Sequence, residues 1–430
     1  MNKVLIITYH FPPRPTVASL RPLGLARYLP EFGWQAVILT AALPGRPDPQ
    51  FEVVETPRRD SGVLSWGKRL FKLDPEQNLM AQIAQLKKKL RIKSERSPLD
   101  LLLTAVGEIT AYPDPQKGWR RFAIKAGEDI LRQRPIKAMI SASPPVTGHI
   151  IARKLKNEFK IPWIADFHDL WTQNYYYPYS PMRKRIERKL ELKTLSAADA
   201  LVTVSRPLAE ELGALHGRKT VHSIPYGFDP AEVNTAPGNL TDKFTITYTG
   251  NLYPGKQSPE PLFAALRDLI AEGSMGARDI EVRFYGPQAG WIDKQAGRHG
   301  LTDIVKQFGT VPREIALSRQ RESQLLLSLK WNDARQKGVY SGKIFEYLAA
   351  KRPVLAVGGF PDVVDDLLST TKAGVSAQTG QDVKASLLPL YQEYKSTGAV
   401  SYRGDEAEIN KYSHRETAER FASILDSIIR

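Results

Sequence analysis

With 430 residues, the chain exceeds what one ordinary hydrophobic core accommodates, so two domains are expected. It has no cysteine, which excludes disulfide bonds, a thiolate nucleophile and cysteine-ligated zinc, and suits a reducing compartment. The formal net charge of +15 favours an anionic partner, and 42% hydrophobic with 25% charged residues is an ordinary soluble composition.

The first forty residues predict a strand, a loop, a helix and a second strand. An apolar run at 3–8 leads into a proline-rich loop at 10–15, helical spacing covers 19–32, and 34–40 is again strand-like. This β–loop–α–β opening favours a parallel, doubly wound sheet. The first apolar run is too short for a signal peptide or a membrane span, so a cytoplasmic location is expected.

The alternation of strands and helices continues along the chain after a less regular stretch at 41–130. Helical patterns there cover 76–93 and 118–134. The further predicted strands are 138–141, 163–165, 200–204, 244–249, 280–285, 325–329 and 354–357, and helices are predicted at 146–159, 181–197, 206–215, 259–272 and 416–429. Ser205 is a suitable N-cap for the helix at 206–215.

Prolines and glycines between 220 and 243 have the composition of a hinge between two similar α/β units. We therefore predict an N-terminal Rossmann-like domain over 1–222 and a C-terminal Rossmann-like domain over 223–411. Residues 412–430 form a last helix that returns to the first domain. Ligands of such paired units are expected in a cleft, outside the carboxyl ends of the strands.

Positive charge is concentrated in two segments, 87–96 and 183–193. Neither has the interleaved aromatic residues of a single-strand binder, and no DNA-binding motif is present, so nucleic acid is not expected. An anionic membrane surface or a phosphorylated substrate fits the charge better. The alternative is that each segment is a solvated helix face.

The motif with the most chemical content is Gly338-Val-Tyr-Ser-Gly-Lys-Ile-Phe-Glu346. A glycine-punctuated loop that enters a helix presents backbone N–H groups to an anion, and the helix dipole favours negative charge there. Glu346, one turn further, is placed to accept hydrogen bonds from sugar hydroxyls. The motif therefore indicates a nucleotide-diphosphate site, and the alternative is a plain βα junction with a surface glutamate.

A succession of short motifs across nearly the whole chain resembles the two-domain GT-B glycosyltransferases, specifically glycosyltransferase family 4 of the bacterial surface-polysaccharide type. The blocks that carry the resemblance lie at 9–13, 141–145, 161–171, 197–205, 224–229, 248–251 and 338–357. The resemblance implies a GT-B fold with two Rossmann-like domains facing across a cleft. It implies that the N-terminal domain, 1–222, binds the acceptor and that the C-terminal domain, 223–411, binds the nucleotide sugar. It also implies retaining, metal-independent transfer of a sugar from a nucleotide-diphosphate donor, with no cofactor. The expected acceptor is a glycan or lipid-linked glycan at the inner face of the membrane.

By the same resemblance, Gly250, Asn251, Lys256 and Lys343 lie at the donor diphosphate. Lys256 matches the family's diphosphate lysine, whereas Asn251 stands where relatives carry arginine, and Lys343 is the candidate to replace that charge. Glu346 matches the second glutamate of the family signature, but Gly338 stands where the first should be. The remaining donor-site candidates are the backbone at Tyr340, Ser341 and Gly342, and the small residues Ala18 and Ser19 of the first loop.

The candidate catalytic residues are His168 with its flanking acids Asp166 and Asp169, which directly follow a predicted strand. His168 resembles the histidine that contacts the transferred sugar in relatives, and an adjacent acid fixes a histidine tautomer. The acceptor-site candidates are His10, at the end of the first strand, and the aromatic residues Trp171 and Tyr175. The alternative for these aromatic residues is packing of a loop on the basic helix that follows.

Two other functions fit the same fold. One is a nucleotide-sugar epimerase or hydrolase, which would need further acids in the cleft. The other is a non-catalytic nucleotide-sugar-binding subunit, an alternative that the loss of the acid at Gly338 keeps open.

Overall fold

The computed structural model describes residues 1–14, 16–59, 108–217, 219–233 and 239–429. The predicted helix at 76–93 and the basic segment 87–96 lie outside the described residues. The chain divides into two compact units: unit 1 comprises Met1–Ile224 with Ala418–Arg430, and unit 2 comprises Pro225–Thr417.

Unit 1 is built on a parallel sheet in the order β3-β2-β1-β4-β5-β6-β7. The chain leaves β1 toward one edge of this sheet and then returns to the other side at β4, which creates a topological switch point between β1 and β4. The strands are β1 (Asn2–Ile7), β2 (Trp34–Ala41), β3 (Glu52–Thr56), β4 (Ile136–Ser143), β5 (Trp163–Phe167), β6 (Ala200–Thr203) and β7 (Val221–Ser223).

Unit 2 repeats the same topology with a parallel sheet in the order β10-β9-β8-β11-β12-β13. Its switch point lies between β8 and β11. The strands are β8 (Phe244–Thr249), β9 (Ile280–Tyr285), β10 (Val305–Gly309), β11 (Leu325–Leu329), β12 (Val354–Val357) and β13 (Gly374–Ala377).

Helices connect the strands of both sheets. Those of unit 1 are α1 (Leu20–Tyr28), α2 (Arg120–Gln133), α3 (Thr147–Phe159), α4 (Pro181–Leu195), α5 (Arg206–His216) and most of α13 (His414–Ile428). Those of unit 2 are α6 (Glu260–Ala271), α7 (Gly290–Arg298), α8 (Arg313–Arg321), α9 (Lys343–Ala350), α10 (Val363–Thr371), α11 (Gly380–Thr397) and α12 (Glu406–Asn410). Within the described ranges, no helix is long and apolar enough to cross a bilayer.

One face of the unit 1 sheet is covered by α1 and α13. Val4 and Ile6 of β1 are fully buried in a cluster with Leu25 of α1 and with Phe421 and Leu425 of α13. A hydrogen bond of 2.9 Å from Trp34 Nε1 to Asp426 Oδ1 fixes α13 against the start of β2. The C-terminal helix is therefore part of the core of unit 1.

The two faces of the unit 2 sheet carry separate apolar clusters, as alternating strand residues require. Leu325 and Leu327 of β11 belong to one cluster, and Leu326 belongs to the other together with Phe345 and Leu348 of α9. Because α9 is buried along this face, its first turn is held firmly at the carboxyl end of β11.

The α/β fold with two Rossmann-like domains is confirmed, and the apolar central strands lie where the sequence predicts them. The helix predicted over 19–32 is divided, with short 3₁₀ turns at Val17–Ser19 and Leu29–Phe32 on either side of α1. Pro30 lacks an amide donor and therefore favours this change of helix type.

Gly286 provides a test of how the unit 2 strand ends pack. Its φ is 157°, and a Cβ at this position would lie 2.2 Å from the carbonyl oxygen of Gly250, at the end of β8. Gly286→Ala should therefore lower the free energy of unfolding of unit 2 by about 2 kcal/mol, because backbone must move to relieve the clash. Urea unfolding followed by circular dichroism measures the effect.

Gly290→Ala is the matched control, since no atom lies within 4 Å of the added Cβ. Equal unfolding midpoints for the two variants would contradict the close approach of Gly286 to Gly250.

Candidate functional site

The switch point of unit 1 gathers polar residues from three strand ends. His10 follows β1, Ser143 ends β4, and His168 directly follows β5. The His168 backbone N–H donates to the Ser143 carbonyl at 3.0 Å, which joins the ends of β4 and β5. Parallel strands place their carboxyl ends at one edge, so this is the expected position of a site.

A buried ion pair orients His168. His168 Nε2 lies 3.3 Å from Asp166 Oδ2, and Arg21 Nε lies 3.1 Å from the same oxygen. Burial alone would raise the pKa of the Asp166 carboxyl, but the Arg21 guanidinium and His168 hold it below its ordinary value. The carboxylate is thus an anion that fixes the orientation of the His168 ring.

Two residues of this cluster, Arg21 and His149, were not identified from the sequence. Arg21 is fully buried, and its Nη1 also donates to the Ile224 carbonyl at 2.8 Å. His149 lies beneath the strand ends with Nδ1 2.7 Å from Ser141 Oγ, and burial lowers its pKa to about 3. His149 is therefore neutral. No sequence signal distinguishes Arg21 from the other arginines, and His149 falls within a helical pattern.

The first loop of unit 1 is closed by its own hydrogen bonds. The Ser19 hydroxyl donates to the Thr16 carbonyl at 2.6 Å and lies 3.3 Å from the Arg14 carbonyl. Ser19 is buried, whereas Ala18 and His10 are half-buried near the end of β1. Ala18 is therefore the more accessible of the two small residues.

The two aromatic residues predicted to bind acceptor are engaged within unit 1. Trp171 is buried, and its Nε1 donates to Glu187 Oε2 at 2.8 Å. The Tyr175 hydroxyl donates to Glu211 Oε1. Asp169, by contrast, has an accessible side chain beside the buried His168.

At the switch point of unit 2, Lys343 contacts the end of β8. Its ammonium lies 3.8 Å from the centre of the Tyr248 ring and also hydrogen-bonds the Tyr248 hydroxyl. A Cβ at Gly250, whose φ is 107°, would lie only 3.3 Å from Lys343 Nζ. Burial of the Lys343 ammonium away from water lowers its pKa to about 7, although the nearby Glu346 carboxylate acts to raise it.

Glu346 lies one turn further into α9 and is held by two side chains of α8. Its Oε1 is 3.3 Å from Arg313 Nη2, and its Oε2 is 3.4 Å from Gln320 Nε2. Tyr340, Ser341 and Gly342 immediately precede α9, and each is half-buried. The first turn of α9 therefore combines backbone N–H groups, one cation and one oriented carboxylate.

Lys256 and Asn251 occupy the loop after β8. Asn251 is exposed, and its carbonyl accepts a hydrogen bond of 2.6 Å from the Tyr248 hydroxyl. Lys256 is half-buried, with its ammonium 5.7 Å from the centre of the Trp331 ring. The structure thus brings Gly250, Asn251 and Lys343 together around Tyr248, whereas the Lys256 ammonium lies near the Trp331 ring.

Comparison with known proteins identifies the first half of the chain. Residues 18–227 match the family model described as a glycosyl transferase 4-like domain. The chain therefore contains a glycosyl transferase 4-like domain over these residues. No curated protein matches the chain significantly in sequence.

Solved glycosyltransferase structures with the GT-B fold align with this chain along its whole length. Anabaena HepE in complex with UDP and glucose is 12% identical, with a TM-score of 0.62 over 99% of this chain and 100% of that one. Sucrose-phosphate synthase from Thermosynechococcus elongatus is 13% identical, with a TM-score of 0.57 over 100% and 96%. The lipopolysaccharide outer core galactosyltransferase WaaB is 10% identical, with a TM-score of 0.57 over 99% of each chain. At these identities the likeness concerns the fold.

Breaking the buried Arg21–Asp166 pair should destabilise unit 1. Arg21→Met leaves Asp166 as an uncompensated buried charge and should lower the free energy of unfolding by about 3–5 kcal/mol. Arg206→Met, which removes an exposed partner of Glu210, should cost at most about 1 kcal/mol. Denaturant unfolding of both variants provides the comparison.

The double variant Arg21→Met/Asp166→Asn separates the ion pair from packing. Because neutral Asn leaves no buried charge, the double variant should be more stable than the sum of the single effects predicts. Strict additivity would mean that the two side chains do not interact.

Proposed function

We propose that this protein is a retaining, metal-independent glycosyltransferase that transfers a sugar from a nucleotide-diphosphate donor to an acceptor in surface-polysaccharide or glycolipid assembly. The observation that carries the proposal is the Lys343 ammonium beside the Gly250 backbone, at the N-terminus of α9. A departing nucleoside diphosphate is stabilised by a nearby ammonium and by backbone N–H groups at a helix N-terminus, most strongly where little water reaches the site.

In this mechanism each unit has its own role. In unit 2, Lys343 and the first turn of α9 stabilise the diphosphate leaving group, while Glu346 accepts hydrogen bonds from ribose hydroxyls. Arg313 and Gln320 keep the Glu346 carboxylate oriented for that contact. In unit 1, His168 contacts the transferred sugar, with its ring oriented by Asp166. Lys256 remains a second candidate cation for the diphosphate.

Incubation with a panel of UDP-, GDP- and dTDP-sugars tests the function. UDP-glucose comes first, because one solved complex of Anabaena HepE holds it. Transfer, or slow hydrolysis of the donor, that persists in EDTA supports a metal-independent transferase, and NMR of the product distinguishes retention from inversion. Epimerised donor without transfer would favour the epimerase alternative, and tight binding without turnover of any donor would refute the proposal.

Donor binding should take up a proton at Lys343. In the free protein, the Lys343 pKa of about 7 leaves the amine mostly neutral at pH 8. A bound diphosphate favours the charged form, so affinity for UDP-glucose should fall up to about tenfold per pH unit above pH 7. Calorimetry at pH 8 in two buffers of different ionisation enthalpy should reveal uptake approaching one proton, and little uptake at pH 6.

Lys343→Met should abolish this proton uptake and weaken binding by at least about tenfold, the loss expected for one charged contact. Lys294→Met, at an exposed position of α7, is the matched control and should behave as the parent. Unchanged uptake in Lys343→Met would assign the proton to another group.

His168→Ala should lower kcat far more than it weakens nucleotide binding, because His168 contacts the sugar and not the nucleotide. A group whose contact forms mainly in the transition state contributes about 10²–10⁴-fold to turnover. Calorimetry with UDP alone serves as the control for an intact donor site. Normal turnover in His168→Ala would leave the histidine with a structural role only.

The membrane role predicted from positive charge involves the exposed face of α4. Arg183 does not contribute to it, since it is buried in an ion pair of 2.7 Å with Glu187. Arg185, Arg188, Lys189 and Lys193 are exposed, and so are the apolar Met182 and Ile186, at 73% and 47%. Cations with interspersed exposed apolar side chains are typical of helices that bind an anionic bilayer surface.

Binding to vesicles containing anionic lipid should therefore depend on α4 and decline as salt rises. The triple variant Arg185→Glu/Arg188→Glu/Lys189→Glu should lose sedimentation with such vesicles. Arg120→Glu/Arg121→Glu/Lys125→Glu, on α2, makes the same change in net charge and should retain most binding. Equal loss in both variants would point to net charge alone, and no binding by the parent would favour a soluble acceptor.

A further inference from the structure

A pocket of about 240 Å³ lies within unit 1 and is lined by Asp169, the residue that follows His168. Three loops form it: the residues before α2, the turn between β4 and α3, and the segment after β5. Its volume is below the roughly 300–1,000 Å³ of sites for drug-sized ligands, so it suits an occupant of about one sugar ring.

The walls of the pocket are fixed by buried polar contacts. Glu187 accepts from Trp171 Nε1 at 2.8 Å and from Arg183 Nε at 2.7 Å. The Arg183 guanidinium lies 3.3 Å from the centre of the Tyr179 ring, and Tyr179 meets the Tyr177 ring edge-on at 5.6 Å. These contacts hold the aromatic residues in place before any ligand arrives, which reduces the entropy cost of binding.

The lining of the pocket is acidic. Asp114, Asp169 and Glu187 contribute carboxyl groups, and no lysine, arginine or histidine is among the lining residues that the structure describes. Asp114 is committed to the start of α3, since it accepts from Thr147 N at 2.7 Å and from Thr147 Oγ1 at 2.8 Å. The charge of Glu187 is compensated by Arg183, so Asp169 is the carboxylate that a ligand would meet. A phosphate or carboxylate ligand would be disfavoured beside Asp169, whereas hydroxyl groups could donate to it.

Two lining groups remain available for a ligand. The Ser143 side chain is buried, and its Oγ has no hydrogen-bond partner among the residues that the structure describes. The accessible Asp169 carboxylate likewise has no hydrogen bond within the described chain. Buried hydroxyl groups are normally satisfied, so the lone Ser143 Oγ marks a position for a polar ligand atom.

We propose that this pocket binds one neutral, uncharged sugar ring of the acceptor. Asp169 accepts hydrogen bonds from ring hydroxyls, Ser143 Oγ forms another, and Tyr177 packs against the apolar face of the ring. The proposal rests on the glycosyltransferase function for its biological meaning, although sugar binding to unit 1 is measurable without any nucleotide.

The test is saturation-transfer NMR of the full chain, without nucleotide, with methyl α- and β-pyranosides. The neutral panel comprises the methyl glycosides of glucose, galactose, mannose, rhamnose, fucose and N-acetylglucosamine. Methyl glucuronide is the anionic comparison, and methyl glucosaminide is the cationic one. At least one neutral glycoside should bind saturably, and the glucuronide at least tenfold more weakly. No binding across the neutral panel, or tighter binding of either charged glycoside, would overturn the proposal.

Variants locate the binding within the pocket. Asp169→Asn should weaken the best neutral glycoside at least tenfold, whereas Asp129→Asn, an exposed carboxyl on α2, should not. Ser143→Ala should weaken it at least threefold without lowering the melting temperature, because it removes a hydroxyl that has no partner. Parental affinity in both pocket variants would place the sugar elsewhere and overturn the proposal.

The outcome is separable from that of the proposed function. Nucleotide-sugar turnover without binding of any neutral glycoside would refute the pocket alone. Glycoside binding that depends on Asp169 and Ser143, without turnover of any donor, would support the pocket and refute the transferase.

Discussion

A single buried guanidinium organises unit 1. Arg21 of α1 forms an ion pair with Asp166 in β5 and donates a hydrogen bond to the Ile224 carbonyl. Its guanidinium also lies 5.0 Å from the centre of the Phe421 ring in α13. A buried arginine must direct its donors to fixed acceptors, because an unsatisfied charge in the interior is costly. The orientation of His168 therefore depends on the packing of α1 and α13, which holds Arg21 against Asp166.

The two switch points share a topology but differ in chemistry. In unit 1, the charges at the strand ends are internally compensated, and the adjacent His149 is neutral. In unit 2, Lys343 contacts the neutral phenol of Tyr248, so its charge is free to respond to an anion. The fold fixes where ligands bind in such sheets, whereas the residues at each strand end determine which ligands.

The central strands could be predicted from the sequence because they are buried on both faces and appear as continuous apolar runs. Edge strands could not: the backbone of β13 pairs with β12, yet Val375 and Ser376 are exposed and give no apolar pattern. Among the site residues, Lys343, Glu346 and His168 could be found because motifs at strand ends carry them. Arg21 could not, since nothing in a helical pattern indicates that an arginine is buried against a carboxylate elsewhere in the chain. Arg183 pairs with Glu187 one turn away in α4, but nothing in that basic helical pattern indicates that the pair is buried.

The position of α13 in the core of unit 1 has a consequence for biosynthesis. Val4 and Ile6 precede unit 2 in the chain, but Phe421 and Leu425, which cover them, are made only after all of unit 2. At about 5–20 residues per second, this leaves roughly 10–40 s between completion of residue 224 and arrival of the covering helix. During that interval an apolar surface of the nascent chain is open to chaperones, and unit 2 is positioned to complete its fold first.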